Sequence, residues 1–204
     1  MTIEEVYDEH CLEYEKAIQL VKVYIEFLKS DSKLISKIES RIKTPRSLKE
    51  KCERKGVGPE EIQERIRDWA GIRLICSHRE DVTELVKCIK NLQLAGFSVV
   101  HEKDYNSNPK KNGYSGYHLD CQVTVPTVNG NKPVPVEIQI RTASQDTWAV
   151  IEHDHYKEVV EAGIKWEDDD PETNEILREI ADHCAACDIL AAKLKAKTIK
   201  NPAL

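Results

Sequence analysis

Residues 117–141, YHLDCQVTVPTVNGNKPVPVEIQIR, decide the fold, because apolar and polar residues alternate on both sides of a turn signal. Alternation with a period of two is typical of a β-strand that buries one face. Asn129-Gly130 is a residue pair typical of a two-residue hairpin loop. The stretch therefore predicts two antiparallel strands, over residues 117–128 and 132–141.

The register of this hairpin follows if Asn129 and Gly130 form its loop, since Val128 then faces Asn131. The apolar face pairs Leu119 with Ile140, Cys121 with Ile138, Val123 with Val136 and Val125 with Val134. The polar face pairs His118 with Arg141, Asp120 with Gln139 and Gln122 with Glu137. That polar face is either the floor of a site or an ordinary solvated sheet face, and periodicity does not separate the two.

The segments around the hairpin alternate between helical and strand patterns. Apolar residues at helical spacing predict helices over residues 1–29 and 80–92. Thr44-Pro45 opens a basic helix, a capping-box pattern at Thr142 opens a helix over about 143–160, and Asp170-Pro171 opens the last helix. Short strands are predicted at 71–77 and 97–101, and a short helix at 59–67. We expect one domain over residues 1–204, with an N-terminal helix of about 1–30 and a C-terminal helix of about 171–197.

The composition is that of a soluble globular protein with no export or membrane signal. The start, MTIEEVYDEHCLEYEK, is acidic, and no apolar run approaches the roughly 20 residues that span a bilayer. Seven cysteines, an odd number, argue against a disulfide framework. A net charge of −6 argues against general coating of nucleic acid. We therefore expect a cytoplasmic protein with no membrane partner.

Two patterns that resemble metal sites have simpler interpretations. Cys184-Ala-Ala-Cys187 lacks a second ligand pair at zinc spacing, which favours two small residues on a helix face. The acidic residues 167–170 are typical of a solvated loop.

A basic segment and two acids are the first candidates for chemistry. Residues 41–55 hold seven Lys or Arg against two acids, which suits either a polyphosphate or a solvated basic face. Asp68 precedes the strand at 71–77, and Glu137 lies on the polar face of the hairpin. Phosphoryl-type transfer uses a divalent cation held by one or two carboxylates together with substrate phosphates. Two separated acids meet that need, although such pairs are common.

The loop over residues 110–118, KKNGYSGYH, combines cations, glycines and aromatic rings. Glycine lets the backbone come close to a ligand, and a tyrosine ring can stack on a base. The alternative is a flexible surface loop in which Tyr117 belongs to the core.

Together, five motifs over about residues 35–160 resemble the synthetase domain of the RelA/SpoT family, and more narrowly its small stand-alone alarmone synthetases. The motifs are RIKTPRSLKEKCERKG, DWAGIRLIC, KDYNSNPKKNGYSGYH, VEIQIRT and DTWAVIEHDHYK. The resemblance implies an α+β fold, with a mixed or antiparallel central sheet flanked by helices as in nucleotidyltransferases. It also implies a pyrophosphokinase that transfers the terminal diphosphate of ATP to the 3′-hydroxyl of GDP or GTP, which releases AMP and makes (p)ppGpp.

The resemblance implies roles for individual residues. Arg41 and Arg73 match the pair that sandwiches the adenine of ATP, and the residues that hold its phosphates are Lys43, Lys51 and Arg54. Asp68 and Glu137 match the catalytic acids that hold Mg²⁺, and Glu137 either assists the metal or takes the 3′-hydroxyl proton. The acceptor-binding residues implied are Lys103, Lys110, Tyr114, His118, Gln139 and Asp146. Among them, Tyr114 would stack on guanine and Asp146 would accept guanine N–H groups.

The resemblance leaves several alternatives open. Some relatives transfer pyrophosphate to the 3′ end of tRNA, and a non-catalytic regulator that binds guanine nucleotides or RNA is a second alternative. The expected partners are ATP, GDP or GTP, further copies of the chain with a homotetramer favoured, and in addition single-stranded RNA. Ser115 stands where many relatives carry Arg, and Trp69 stands where a smaller aliphatic residue is usual, which we interpret as a packing change. No hydrolase motif accompanies the synthetase motifs, so we expect no alarmone hydrolysis.

Overall fold

A mixed five-stranded sheet with strand order β1-β2-β5-β4-β3 forms the centre of the protein. The computed structural model describes residues 1–92, 94–163 and 170–200. The strands are β1 (Lys37–Ile42), β2 (Ala70–Cys76), β3 (Phe97–Asp104), β4 (Tyr117–Thr127) and β5 (Gly130–Thr142). β2 and β5 run parallel, and the other neighbouring pairs are antiparallel. The expected α+β fold with a mixed sheet is confirmed.

Six α-helices flank this sheet within the described ranges. They are α1 (Ile3–Asp31), α2 (Pro45–Lys55), α3 (Ile62–Arg65), α4 (Arg79–Lys90), α5 (Ala143–Glu161) and α6 (Pro171–Lys200). The predicted helix over 59–67 is instead a 3₁₀ turn, Pro59–Glu61, followed by the single turn of α3.

The predicted helix starts at Thr44 and Thr142 are confirmed. Thr44 Oγ1 accepts a hydrogen bond from the backbone N–H of Ser47 at 3.2 Å. Thr142 and Gln145 form a complete capping box, in which each side chain accepts from the backbone N–H of the other, at 3.1 and 2.9 Å. Both caps satisfy backbone donors that a helix start leaves without intrahelical partners.

The hairpin register differs from the prediction by two residues. Thr127 pairs with Gly130, so the loop is Val128 and Asn129, and Glu137 lies opposite Asp120 rather than Gln122. Neither Val128 nor Asn129 has positive φ, whereas Gly130 has φ +104°. A turn followed by a glycine of positive φ is a common hairpin connection, and an Asn-Gly loop would instead need positive φ at Asn129 as well. The Thr127 hydroxyl donates to the Gly130 carbonyl at 2.7 Å and accepts from Asn129 N–H at 3.2 Å. Because the shift is even, the two faces of the hairpin keep the predicted residues.

The sequence analysis did not predict β1, which lies at the edge of the sheet. None of the six residues of this strand, KIESRI, is fully buried. Its two apolar residues, Ile38 and Ile42, lie on one face with Ser40 between them, and a spacing of four fits a helix as well as a strand. β1 matters for function because its pairing brings Arg41 beside Gly71 of β2.

The apolar face of the sheet packs against α1. Tyr14, Ala17 and Val21 of the predicted α1 stripe are buried there with Leu119 and Ile138 of the hairpin. Trp69 belongs to the same core, fully buried, with its ring centroid 4.2 Å from that of Tyr14. This burial of Trp69 agrees with the predicted packing change. The core therefore occupies one side of the sheet and leaves the polar side available.

No described helix combines the length and the apolar character that a membrane span requires. Cys184 is half-buried and Cys187 is exposed on α6. Of the acidic stretch 167–170, Asp170 alone lies inside the described residues, so the predicted loop falls outside them.

Candidate functional site

Two rows of side chains cross all five strands on the polar face of the sheet. The first row, in cross-strand register, is Arg41, Gly71, Glu137, Asp120 and His101. The second row is Glu39, Arg73, Gln139, His118 and Lys103. Paired residues on neighbouring strands share a face. The fold therefore brings together six of the residues that the resemblance implied, from both the ATP group and the acceptor group.

Two cavities open on this face and share part of their wall. A cavity of about 430 Å³ is lined by Arg41, Asp68, Arg73, Glu137 and Gln139, among others. A second cavity, of about 620 Å³, shares Arg41 and Asp68 with the first. Its remaining predicted lining residues are Lys43, Lys51, Arg54 and Lys110. The polar face of the hairpin is therefore the floor of a cleft and not an ordinary solvated face.

Asp68 stands at the junction of the two cavities and is held by two lysines. Its Oδ2 atom lies 3.2 Å from Nζ of Lys43 and accepts a hydrogen bond from Lys51. Burial raises the pKa of Asp68, but the two lysines outweigh it and lower the pKa to about 2. Its other oxygen, Oδ1, is buried and has no partner among the described protein atoms. Asp68 thus offers an ionised, unpartnered oxygen at the bottom of the cleft.

Glu137 is held by a closed ring of hydrogen bonds that runs through five side chains. His118 Nδ1 lies 3.0 Å from Glu137 Oε1, and Gln139 Nε2 donates to Oε2 at 2.6 Å. Arg141 Nη2 donates to Gln139 Oε1 at 2.9 Å and to the Tyr114 hydroxyl at 2.8 Å. The Tyr114 hydroxyl contacts His118 Nε2 and completes the ring. Because an ionised carboxylate can only accept, His118 Nδ1 donates to Glu137 on one side of the ring, as Gln139 Nε2 does on the other.

This ring keeps Glu137 ionised although its side chain is buried. Burial raises the pKa of Glu137, and the contacts with His118 and Gln139 together lower it below its usual value. The negative charge of Asp68 acts in the opposite direction and raises the pKa of Glu137, as expected for neighbouring carboxylates. The two acids therefore lie in one cavity wall and interact with each other.

Carboxylate oxygens of this kind are the ligands that Mg²⁺ prefers, usually one or two from protein with the rest from water and phosphate. Oδ1 of Asp68 is free to bind, and each oxygen of Glu137 accepts one hydrogen bond and keeps a second lone pair. The residues present therefore fit a magnesium ion.

Arg73 lies between acids from two different elements. Its Nη1 atom is 3.2 Å from Glu39 on β1 and 3.3 Å from Asp146 on α5. Asp146 also lies 3.4 Å from Arg141. The resemblance assigned Asp146 to the acceptor site. In the structure it contacts both Arg73, of the ATP group, and Arg141, which lies against the ring of Tyr114.

Tyr114 is in a closed environment, with 8% of its surface exposed. Lys110 Nζ lies 4.9 Å from its ring centroid, and the guanidinium of Arg141 lies 5.2 Å from it. Its ring also meets Trp148 of α5 edge-on, with centroids 5.6 Å apart. The alternative placed Tyr117 in the core, and Tyr117 does pack against it, half-buried. Tyr114 is buried as well, so the loop before Tyr117 is not an open surface loop.

Sequence reasoning gave no role to Arg141 or Asp120, although it placed both on the polar face. Arg141 is buried and joins Tyr114, Gln139 and Asp146. Asp120 is buried opposite Glu137, and the three basic side chains around its Oδ2 are Lys103 at 3.4 Å, His101 at 3.5 Å and Arg67 at 3.6 Å. The alternation of the hairpin is the signal that could have identified both residues.

The chain resembles one family in sequence and in structure. The family model described as "Region found in RelA / SpoT proteins" matches residues 40–161. GTP pyrophosphokinase YjbM of Bacillus subtilis (strain 168) is 35% identical over 148 residues, 69% of this chain and 68% of that protein. GTP pyrophosphokinase YwaC of the same organism is 34% identical over 163 residues, 76% of this chain and 77% of that protein. The structure of the small alarmone synthetase 1 from Bacillus subtilis bound to its product pppGpp aligns with a TM-score of 0.82 and 25% identity, over 94% of this chain and 97% of that one.

Proposed function

The chain belongs to the RelA/SpoT family, and we propose that it is a small alarmone synthetase, which transfers pyrophosphate from ATP to the 3′-hydroxyl of GDP or GTP. Its curated relatives are GTP pyrophosphokinases, and the aligned small alarmone synthetase carries pppGpp as its product. The observation that carries the proposal is the shared cavity wall of Asp68 and Glu137, with cations on one side and a hydrogen-bonded ring on the other.

The ATP side is the wall that contains the basic residues. Lys43, Lys51 and Arg54 line the larger cavity and are suited to hold the phosphates. Arg41 and Arg73 lie on adjacent strands at the other end, where two planar guanidinium groups can flank a base. This arrangement supports the assignment of the donor nucleotide to the β1–β2 side of the sheet.

Magnesium would be held by Asp68 and Glu137 together with the substrate phosphates. When bound, the ion withdraws negative charge from the phosphoryl oxygens. The low pKa of Asp68 and its unpartnered Oδ1 support its role as a ligand at neutral pH, since metal ligands must be deprotonated.

In the transfer step, the 3′-oxygen of the acceptor forms a bond to the β-phosphorus of ATP. The bond between that phosphorus and the oxygen bridging to the α-phosphate breaks, and AMP leaves with the electron pair. The proton of the 3′-hydroxyl passes to the carboxylate of Glu137, which His118 and Gln139 hold in place. Lys43 and Lys51 stabilise the charge that develops on the phosphates.

The acceptor side is the wall around Tyr114 and His118. For guanine to stack on Tyr114, Lys110 must leave its position 4.9 Å from the ring centroid, which would free it to contact acceptor phosphates. Lys103 stands beside His118 in the same cross-strand row. Asp146 can accept guanine N–H groups if it separates from Arg73.

The terminal helices support the expected homo-oligomer, with a tetramer favoured. Phe27 of α1 and Leu190 and Leu194 of α6 are large apolar side chains that are 67%, 62% and 67% exposed. Light scattering at several concentrations checks the assembly, and a strict monomer would contradict it. The same measurement with added single-stranded RNA tests the further partner.

The acceptor screen is the direct test. The protein is incubated with labelled ATP, Mg²⁺ and GDP, GTP or tRNA, and AMP and the labelled acceptor are measured. We expect AMP together with ppGpp or pppGpp, and no label on tRNA. Label on tRNA would support the alternative acceptor, and guanine nucleotide binding without AMP release would support a non-catalytic regulator.

A further inference from the structure

Gln145 is a buried side chain that joins the start of α5 to the loop over residues 105–116. Its Oε1 atom caps the helix by accepting from the backbone N–H of Thr142 at 2.9 Å. Its Nε2 atom donates to Asn106 Oδ1 at 2.6 Å and to Ser115 Oγ at 3.0 Å. With 3% of the residue exposed, these bonds use both amide hydrogens inside the protein. Gln145 therefore holds the 105–116 loop at two positions, one near each end.

α6 holds the same helix start and the tip of the same loop. Thr142 Oγ1 donates to the buried Asp188 Oδ2 at 3.1 Å, and Arg79 Nε donates to that oxygen at 3.0 Å. At the loop tip, Gly113 has φ +87°, and a Cβ at this position would lie 2.6 Å from the Cβ of Ala181. The loop is thus bound to α5 at its ends and in contact with α6 at its tip.

Lys110 and Tyr114 lie on the loop between the two residues that Gln145 binds. Neither Asn106 nor Ser115 lines the two cavities that hold the ATP-side residues. Ser115, the residue that departs from the family pattern, therefore has a contact of its own in this chain, to Gln145.

We propose that Gln145 is a positioning residue for the acceptor nucleotide, which acts by holding the 105–116 loop through Asn106 and Ser115. This inference rests on the proposed function for the identity of the ligand. It predicts that loss of the two loop contacts weakens acceptor binding and leaves ATP binding intact, because Asp68, Lys43 and Lys51 lie on other elements. The rate of transfer can also fall, since Tyr114 of the loop belongs to the ring that holds Glu137. Buried hydrogen bonds that fix a loop lower the entropy lost when a ligand binds it.

The test variant is the double substitution Asn106→Ala and Ser115→Ala, which leaves Gln145 and its helix cap in place. The matched control is Ser107→Ala with Asn108→Ala, the same residue types in the same loop, where Ser107 contacts Asp104 and not Gln145. A rescue variant, Asn106→Asp with Ser115→Thr, keeps an oxygen at both positions. All three are compared in urea unfolding, so that a variant that fails to fold is recognised. In that case the single substitutions Asn106→Ala and Ser115→Ala, each of which removes one of the two contacts, replace the double variant.

The expected result is a rise of about tenfold in the KM for GDP or GTP, the size of one or two lost hydrogen bonds, with the KM for ATP changed less than about twofold. Hydrogen exchange should quicken at Lys110 and Gly113, whose N–H groups bond within the loop at 3.0 and 2.9 Å, and stay unchanged in β5. The rescue variant should return both readouts toward wild type.

Two results would overturn the inference. In the first, the double variant and the control variant have the same hydrogen exchange in the loop and the same KM for GDP or GTP. In the second, the KM for ATP rises as much as the KM for GDP or GTP, and the urea midpoint falls. If the wild-type protein makes no product at all, the proposed function fails. Hydrogen exchange in the loop and equilibrium binding of GDP then still decide whether Gln145 positions the loop for a nucleotide.

Discussion

The Nδ1 atom of His118 lies 3.0 Å from Oε1 of Glu137, and this contact joins a residue of the acceptor wall to one of the two acids. His118 is held on its other side by Tyr114, so its ring has a defined orientation toward the carboxylate. As a result, the group proposed to take the proton is positioned by the same side chains that face the acceptor.

Glu137→Gln should reduce the rate of AMP release by about 10²- to 10⁴-fold, the range typical of a lost general base. The amide has nearly the shape of the carboxylate, so ATP and GDP should still bind. Single-turnover AMP release measures the effect. The control is Glu102→Gln, which removes an equal charge from a half-exposed carboxylate bound to Lys90 and Tyr117. Activity near wild type in Glu137→Gln would exclude Glu137 from the transfer step.

Asp68 should make stability depend on pH in the acid range. Its pKa is lowered from 3.8 to about 2 in the folded protein, so its stabilising contribution is present above pH 4 and disappears as the pH falls toward 2. Asp68→Asn lacks this ionisation. The free energy of unfolding of wild type relative to the variant should therefore fall by about 2 kcal/mol from pH 5 to pH 2. Urea unfolding at several pH values measures it, and a difference independent of pH would contradict the contribution.

Arg73→Lys should raise the KM for ATP by about fivefold to tenfold, because Lys keeps the positive charge but lacks the planar group that covers a base. The ion pairs with Glu39 and Asp146 can persist, so stability should change little. Steady-state kinetics with ATP varied measures the effect. Arg46→Lys is the control, since the side chain of Arg46 is 84% exposed and pairs with Glu50 within α2. Equal KM values in both variants would remove Arg73 from the adenine site.

Gly130→Ala should lower the free energy of unfolding by about 1–2 kcal/mol, the cost of a side chain at positive φ. No atom lies within 4 Å of the added Cβ, so the cost arises from the backbone at φ +104° alone. Urea unfolding checks the value. Val128→Ala, at the fully exposed neighbour in the same loop, should stay within about 0.5 kcal/mol of wild type. A neutral Gly130→Ala would contradict the positive φ at this position.

Local sequence was sufficient to identify one side of the site. The alternation of the hairpin placed Glu137, Gln139 and His118 on one face, and an error of two residues in register left that result unchanged, since faces repeat every two residues. The Thr142 cap was equally visible, because a capping box depends on residues three apart.

Contacts between distant segments were not predictable from these patterns. The ring through Tyr114 and Arg141 forms only when the 105–116 loop packs against α5. α5 in turn packs against α6, where Trp148 Nε1 donates a hydrogen bond to the Leu177 carbonyl at 2.7 Å. β1 was missed because the spacing of Ile38 and Ile42 fits a helix as well as a strand. In both cases tertiary placement, and not local preference, determines the outcome.

The central strand β5 contributes Glu137, Gln139 and Arg141, whereas Lys110 and Tyr114 belong to a loop that side-chain hydrogen bonds hold from outside the sheet. A substitution in β5 disturbs its pairing with both β2 and β4, whereas a substitution in the loop disturbs only a few side-chain hydrogen bonds. Substitutions in the loop should therefore alter which nucleotide is accepted without disturbing the strand that carries Glu137, and the loop is the first place where protein engineers can change selectivity.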